Sequence, residues 1–146
     1  MLTRTTGSAI RLADDDAAIA ACYDTMVHLR PHLSRQHFVA RMRRQMAEGY
    51  RLAVLHHEGE VVAVAGFRLI TMLYSGRQLY VDDLVTQPAH RSEGHGAILM
   101  AWLRDQACRE GCAELHLDSG LQREAAHRFY QRQGLIVVGY HFTVAV

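Results

Sequence analysis

The stretch Arg91-Ser92-Glu93-Gly94-His95-Gly96 decides how this chain folds. It follows an apolar, β-prone run ending near Pro88 and leads straight into an amphipathic helix that runs toward Glu110. Two glycines at a strand-to-helix turn let backbone approach a ligand closely, and the NH groups of a helix start have no partner within the helix. Together they make an anion site, for which a phosphate or pyrophosphate is the natural guest. Arg91 either adds a charge-assisted contact there or lies along the loop and shapes it. Two better-known phosphate loops are excluded. No Gly-Lys-Ser/Thr ending follows, and there is no Gly-x-Gly-x-x-Gly with an acidic residue about 20 positions further on. A different nucleotide cofactor is implied.

Working outward, the helix after the loop places Leu99, Leu103 and Ala107 in one row with Ile98 and Trp102 beside them, a broad face to bury. It leads to a strand at 114–118, and strand, helix, strand in that order predicts a right-handed crossover joining two parallel strands. Upstream, 51–57 and 60–69 are β-rich runs joined by Glu58-Gly59, the length of a tight hairpin, and a third run covers 78–86. These three form an antiparallel meander. Before them, Ile10 to Ala13 reads as a first strand, and Asp14-Asp15-Asp16 caps a helix whose apolar residues recur up to Arg30-Pro31. A second helix starts after Ser34 and stops at Gly49. A last helix covers 122–133 and ends at Gly134, and 136–146 is β-prone, as two short strands that pair across a homodimer or are buried within a monomer. The fold class is therefore α/β, a mixed single domain over 1–146 with a mostly antiparallel sheet, one parallel and splayed strand pair, and about four flanking helices.

Composition narrows the function classes. With 146 residues, 49% of them hydrophobic, the chain can build one core without disulfide or metal staples. A formal charge of +1 offers no broad footprint for nucleic acid, and Arg41, Arg43 and Arg44 read as a solvated helix face. No apolar run is long enough to span a membrane and the N-terminus lacks the zones of a signal peptide, so we expect a cytoplasmic protein without membrane contact. Cys22, Cys108 and Cys112 sit at no zinc-ligand spacing and read as buried thiols. The ten histidines form no recognised metal motif, so no metal is expected.

The segment from Asp83 to Gly96, DLVTQPAHRSEGHG, closely resembles the acyl-CoA signature of the GNAT superfamily of N-acyltransferases. Ala126 to Leu135, AHRFYQRQGL, is similar to that family's Ala-x-x-(apolar)-Tyr-x-x-x-Gly-Phe segment, at the expected distance. The order of elements matches over nearly the whole chain. The resemblance implies acetyl-CoA as co-substrate, its pyrophosphate on the NH groups of Ser92, Glu93, Gly94, His95, Gly96 and Ala97. It also implies that the pantetheine arm lies along the backbone of Leu84, Val85 and Thr86 as an added strand would. Thr86 stands where the family usually has an aliphatic residue, and Arg123 where many relatives have an asparagine near CoA.

Acyl transfer to an amine needs a neutral amine, a stabilised oxyanion and a proton for the departing thiolate. With the motif in place, Tyr130 is the expected acid, since a phenol of pKa about 10 is protonated at neutral pH. Its bland reading is packing beside Phe129. A backbone NH of Leu84 or Val85 is the expected oxyanion donor. Asp82 shares strand parity with Leu84 and Thr86 while Asp83 faces the other way. Tyr80 occupies a position where some relatives carry a catalytic glutamate, so Asp82, through water, is the expected base. The alternative is an acidic pair that orients a cationic substrate. His116 and His127 are either structural or line the acceptor site. The expected reaction is direct attack by a primary amine of a small molecule, approached around Arg30 to Arg35. A protein or peptide terminus as acceptor, and a non-catalytic acyl-CoA-binding regulatory module, are the rivals.

Overall fold

The computed structural model describes residues 3–5 and 7–146. It falls into two compact units, one through His116 and one from Leu117 to Val146. The first holds a sheet ordered β1-β2-β3-β4-β5-β6: β1 (Thr3–Thr5), β2 (Ser8–Leu12), β3 (Arg51–His57), β4 (Glu60–Met72), β5 (Gly76–Thr86) and β6 (Glu114–Leu117), the last residue of β6 opening the second unit. β1 to β5 pair antiparallel in sequence order. The β3–β4 hairpin turns on Glu58 and Gly59, both at positive φ (50° and 83°), which is the backbone a two-residue primed turn requires. The Ala113 NH bonds the Arg77 carbonyl at 2.9 Å, so β6 starts level with the start of β5, and the crossover through α4 returns it parallel to β5.

The first strand begins two residues before the sequence expectation, and β1 ahead of it was not foreseen. The expected first helix is two short pieces, α1 (Asp16–Ala20) and α2 (Tyr23–Met26). Asp15 caps α1 by accepting from the Ala18 NH at 2.8 Å. A 3-10 turn at Arg35–His37 leads into α3 (Phe38–Ala47). One face of the sheet, with Leu52, Val54, Val64 and Val85, packs against Ile19, Cys22, Met26, Phe38 and Met42 from these helices. Helix α4 (His95–Arg109) buries Leu99, Met100, Trp102, Leu103 and Ala107, and Trp102 meets Phe67 of β4 edge to face at 5.9 Å. Glu110 at its end accepts from Arg51 (3.1 Å) and Arg77 (3.4 Å), tying the helix to β3 and β5.

Arg41, Arg43 and Arg44 face solvent, with Arg43 paired to Asp16 at 2.7 Å. The cysteines are free, but only Cys22 is buried; Cys108 is exposed because it follows Ala107 onto the face of α4 opposite the apolar row, and Cys112 is half-buried. Burial pushes the Cys22 thiol up to about 12.

The second unit contains α5 (Glu124–Arg132), closed by Gly134 at φ 89° with the Leu135 NH on the Tyr130 carbonyl at 3.0 Å. The two strands expected over 136–146 are absent: those residues form no strand and their apolar side chains are exposed. A β-prone segment becomes a strand only where another backbone accepts its hydrogen bonds, and within the second unit none of the described residues does. Among the described residues no helix is long and apolar enough to cross a membrane.

Candidate active site

The turn that opens the chain's reading has the expected construction. Gly94 precedes α4 in the left-handed region at φ 85°, and the first intrahelical bond runs from the Ile98 NH to the Gly94 carbonyl at 3.1 Å. The NH groups of His95, Gly96 and Ala97 come before that bond and have no acceptor within the helix. Ser92 also takes positive φ, 65°, and chain reversals of this kind gather successive NH groups into a concavity for anions. Arg91 is exposed on the loop. The loop is stiffened by its own side chains: Glu93 accepts from His90 Nδ1 (3.1 Å) and from His95 Nε2 (3.0 Å). The bond from His90, then that from His95, holds the Glu93 carboxyl below the usual carboxylate range.

β5 feeds this turn, and its pairing with β4 contains a bulge that sequence parity did not anticipate. Gly66 pairs with Asp83 and Phe67 with Val81, so Asp82 is the extra residue. The strict alternation expected along 82–86 is therefore broken at its first member. The two aspartates part into different networks. Asp82 is forked by Arg68, with Nη2 to Oδ2 at 2.7 Å and Nε to both oxygens at 3.1 Å. Asp83 accepts from Arg30 at 2.7 Å and from the Tyr50 hydroxyl at 2.8 Å, while Arg30 also donates to the Asp82 carbonyl at 3.0 Å. Burial first, and then the Asp83 charge beside it, push the Tyr50 phenol far above its ordinary value.

Tyr50 and Arg68 were not singled out from sequence, and Arg30 only as one end of the acceptor's expected approach. The available signal for Tyr50 was Gly66: a Cβ at that position would sit 1.7 Å from the Tyr50 hydroxyl, so the glycine leaves the space that the ring fills. Arg30 belongs to the connection between the first helices, where the acceptor was expected to approach. It and a Gln87–Thr25 bond at 3.0 Å tie that region to the end of β5.

Leu84, Val85 and Thr86 pair with Ala65, Val64 and Ala63 of β4. In an antiparallel pair alternate residues turn their NH and carbonyl to the same neighbour, so of Leu84 and Val85 one points its NH at β4 and the other away. On the outer side β6 has only four residues beginning level with Arg77, so 82–86 of β5 run past its end. That is the splayed parallel pair.

In the second unit Tyr130 is half-buried on α5, with its ring edge-on to Phe129 at 5.6 Å. Burial pushes its hydroxyl up, opposed by the charge and hydrogen bond of Arg123, so the phenol holds its proton at neutral pH. His127 Nε2 bonds the Gly120 carbonyl at 2.7 Å, and His116 bonds Glu114 at 3.0 Å, so each ring has one nitrogen partnered.

Comparison with known proteins agrees with this construction. A model of the acetyltransferase (GNAT) family matches residues 17–135. The chain is 33% identical over 125 residues to the uncharacterised N-acetyltransferase YhdJ of Bacillus subtilis (strain 168), covering 84% of this chain and 88% of that one. It is 32% identical over 98 residues to the aminoalkylphosphonate N-acetyltransferase of Salmonella typhimurium (strain LT2), covering 66% of this chain and 62% of the relative. Among solved structures, aminoglycoside N-acetyltransferase AAC(6')-Iy in complex with CoA superposes with a TM-score of 0.83 at 14% identity, over 95% of this chain and 94% of that one.

Proposed function

The chain belongs to the acetyltransferase (GNAT) family, and from that premise we propose that it moves an acetyl group from acetyl-CoA to the primary amine of a small molecule. The observation that carries the reading is the turn at Gly94, where three NH groups without intrahelical acceptors follow, after the 3-10 turn at Pro88–His90, the strand whose bulge sets out Asp82 and Asp83. The NH groups of Ser92 to Ala97 take the pyrophosphate, and Arg91 adds its charge. The backbone of Leu84, Val85 and Thr86, running past the end of β6, takes the pantetheine arm as an added strand and leaves one NH for the oxyanion. Asp82, anionic under the Arg68 fork, accepts the amine proton through a water on the lone pairs that Arg68 leaves. Tyr130 protonates the leaving thiolate. The amine attacks the thioester directly: burial has silenced the Cys22 thiol, and Cys108 and Cys112 lie at the far end of α4 from the turn.

Two relatives support the substrate classes. The fold neighbour holds CoA, and the Salmonella relative is named for an aminoalkylphosphonate, a small amine. The family match spans both units, which supports their acting as one catalytic domain. Free thiols suit a reducing cytoplasm. The test is release of free CoA thiol from acetyl-CoA across a panel of small primary amines, including aminoalkylphosphonates. Amine-dependent release establishes the activity, and binding of acetyl-CoA without release by any amine refutes it. Asp82→Asn should lower kcat about a hundredfold. An unchanged rate removes Asp82 from the base role.

A further inference from the structure

Among the described residues one group of side chains turns three metal-ligating atoms toward one another, and the acyl transfer proposed above does not use them. His90 Nδ1, a Glu93 carboxylate oxygen and His95 Nε2 all lie within 4.8 Å of one another. His90 comes from the 3-10 turn at Pro88–His90 and His95 is the first residue of α4, so the loop between them closes a small ring of ligand atoms. Both imidazoles aim at the same oxygen, Glu93 Oε2, at 3.1 Å and 3.0 Å.

A tetrahedral zinc ion with nitrogen and oxygen ligands at about 2.0–2.1 Å places those atoms about 3.4 Å apart. The two nitrogen–oxygen distances open by a few tenths of an ångström, while the widest separation in the set, within 4.8 Å, closes by up to about 1.4 Å; the movement falls on a glutamate side chain that is 50% exposed and a histidine that is 30% exposed. His95, by contrast, is rigid: its side chain is 4% exposed, and its Nδ1 is buried with no hydrogen-bond partner. Nε2 is the nitrogen that His95 turns toward Glu93 and can offer to a cation, and ligation there places the ring's proton on Nδ1. The other nitrogen of His90, Nε2, lies 3.7 Å from Glu60 Oε2, beyond hydrogen-bond reach but near enough for the carboxylate charge to favour a cation beside the ring.

We propose that His90, Glu93 and His95 form a binding site for one late first-row divalent cation, best matched to Zn2+, with water in the fourth position. Two imidazoles and one carboxylate are a donor set for zinc and its neighbours and a poor one for Mg2+ or Ca2+, which demand oxygen. Binding takes up no redox chemistry; it displaces the protons that the two imidazoles now donate to Glu93. The bound ion would tie the 3-10 turn to the first turn of α4 and so hold the glycine loop in one shape.

The test uses the whole protein, freed of metal by chelator. Co2+ serves as a visible probe and Zn2+ is titrated by calorimetry. We expect one equivalent of Co2+ to give the visible absorption of a tetrahedral site and Zn2+ to displace it. Glu93→Gln, at an exposed position, and His90→Gln, at a half-buried one, should weaken Zn2+ by at least about tenfold with thermal unfolding unchanged, and His32→Gln, outside the cluster, should leave it as it is. Absence of Co2+ absorption and Zn2+ heat, or binding that survives both substitutions, overturns the proposal. A thermal shift by acetyl-CoA in excess chelator tests the cofactor reading separately, so the failure of either is distinguishable from the failure of the other.

Discussion

The part of the chain through His116 and the part after it use apolar residues in opposite ways. In the first, Leu52, Leu55, Phe67, Leu99 and Leu103 are each 0–1% exposed. In the second, Ile136, Val137, Val138, Tyr140, Phe142 and Val144 are 79–90% exposed although their types are no less hydrophobic. The difference is in partners. The first part has strands in sequence-adjacent pairs and a helix on each face, so these core side chains meet another element, and the large apolar residues it leaves exposed, such as Leu73 and Tyr74, lie at the β4–β5 turn or a strand end. The last eleven residues form no strand and no helix, and β propensity without an accepting edge buries nothing. Yet this second part carries Tyr130. A region without a core of its own is thus proposed to supply the acid, while the well-packed region supplies the anion site and both aspartates.

The sharpest way to break this contrast is to truncate one aromatic residue in each part. Phe67→Ala should destabilise the protein by about 3–5 kcal/mol in urea unfolding, whereas Phe142→Ala should stay within about 0.5 kcal/mol. Comparable losses at both positions would mean that the C-terminal segment is buried in solution. Next in size is chemistry: Tyr130→Phe should reduce kcat about a hundredfold with little change in KM or in unfolding. If Tyr130→Phe turned over at the parental rate, the second part would have no share in catalysis.

A smaller effect follows from the buried phenol of the first part. Above pH about 10 an unfolded tyrosine gives up its proton. Tyr50, raised by burial and by Asp83, keeps its proton in the folded protein. The native state then binds more protons than the unfolded one, so stability falls as pH rises beyond that point. Tyr50→Phe should flatten this alkaline decline; an unaltered slope would show that the ring titrates as freely as in the unfolded chain. The smallest change is expected in the glycine loop. Ser92→Gly relieves a left-handed residue but loosens the unfolded chain, and should leave stability within about 0.5 kcal/mol. Ser92→Val should lower it by about 1–2 kcal/mol, since a β-branched residue resists that backbone. Thermal unfolding distinguishes the two.

These expectations also mark how far the sequence is legible. The glycine loop, α4 and the Glu58-Gly59 hairpin could be read because their signals are local: a glycine where φ must be positive, an apolar row at helical spacing. Asp82 and Asp83 were visible as an acidic pair, but the bulge that separates them depends on register with β4, which no single strand encodes. Tyr50 escaped notice because its partners, Gly66 and Asp83, lie 16 and 33 positions away. The break between α1 and α2 carries no proline or glycine at all; apolar spacing continues through it, and only the packing of Ile19, Cys22 and Met26 into the core shows that one face was kept. The strands expected after 135 failed for the reason already given, that pairing is a property of two segments.

The ring of Tyr50 occupies the space that a side chain at 66 would need, and this imposes an order on the chain's descent. Any residue larger than glycine at 66 is closed off until position 50 has first become small, and a small residue at 50 opens a hole until 66 grows to fill it. The two sites can change only by passing through a worse intermediate. Each is therefore held in place by the other, whatever substrate the enzyme comes to use.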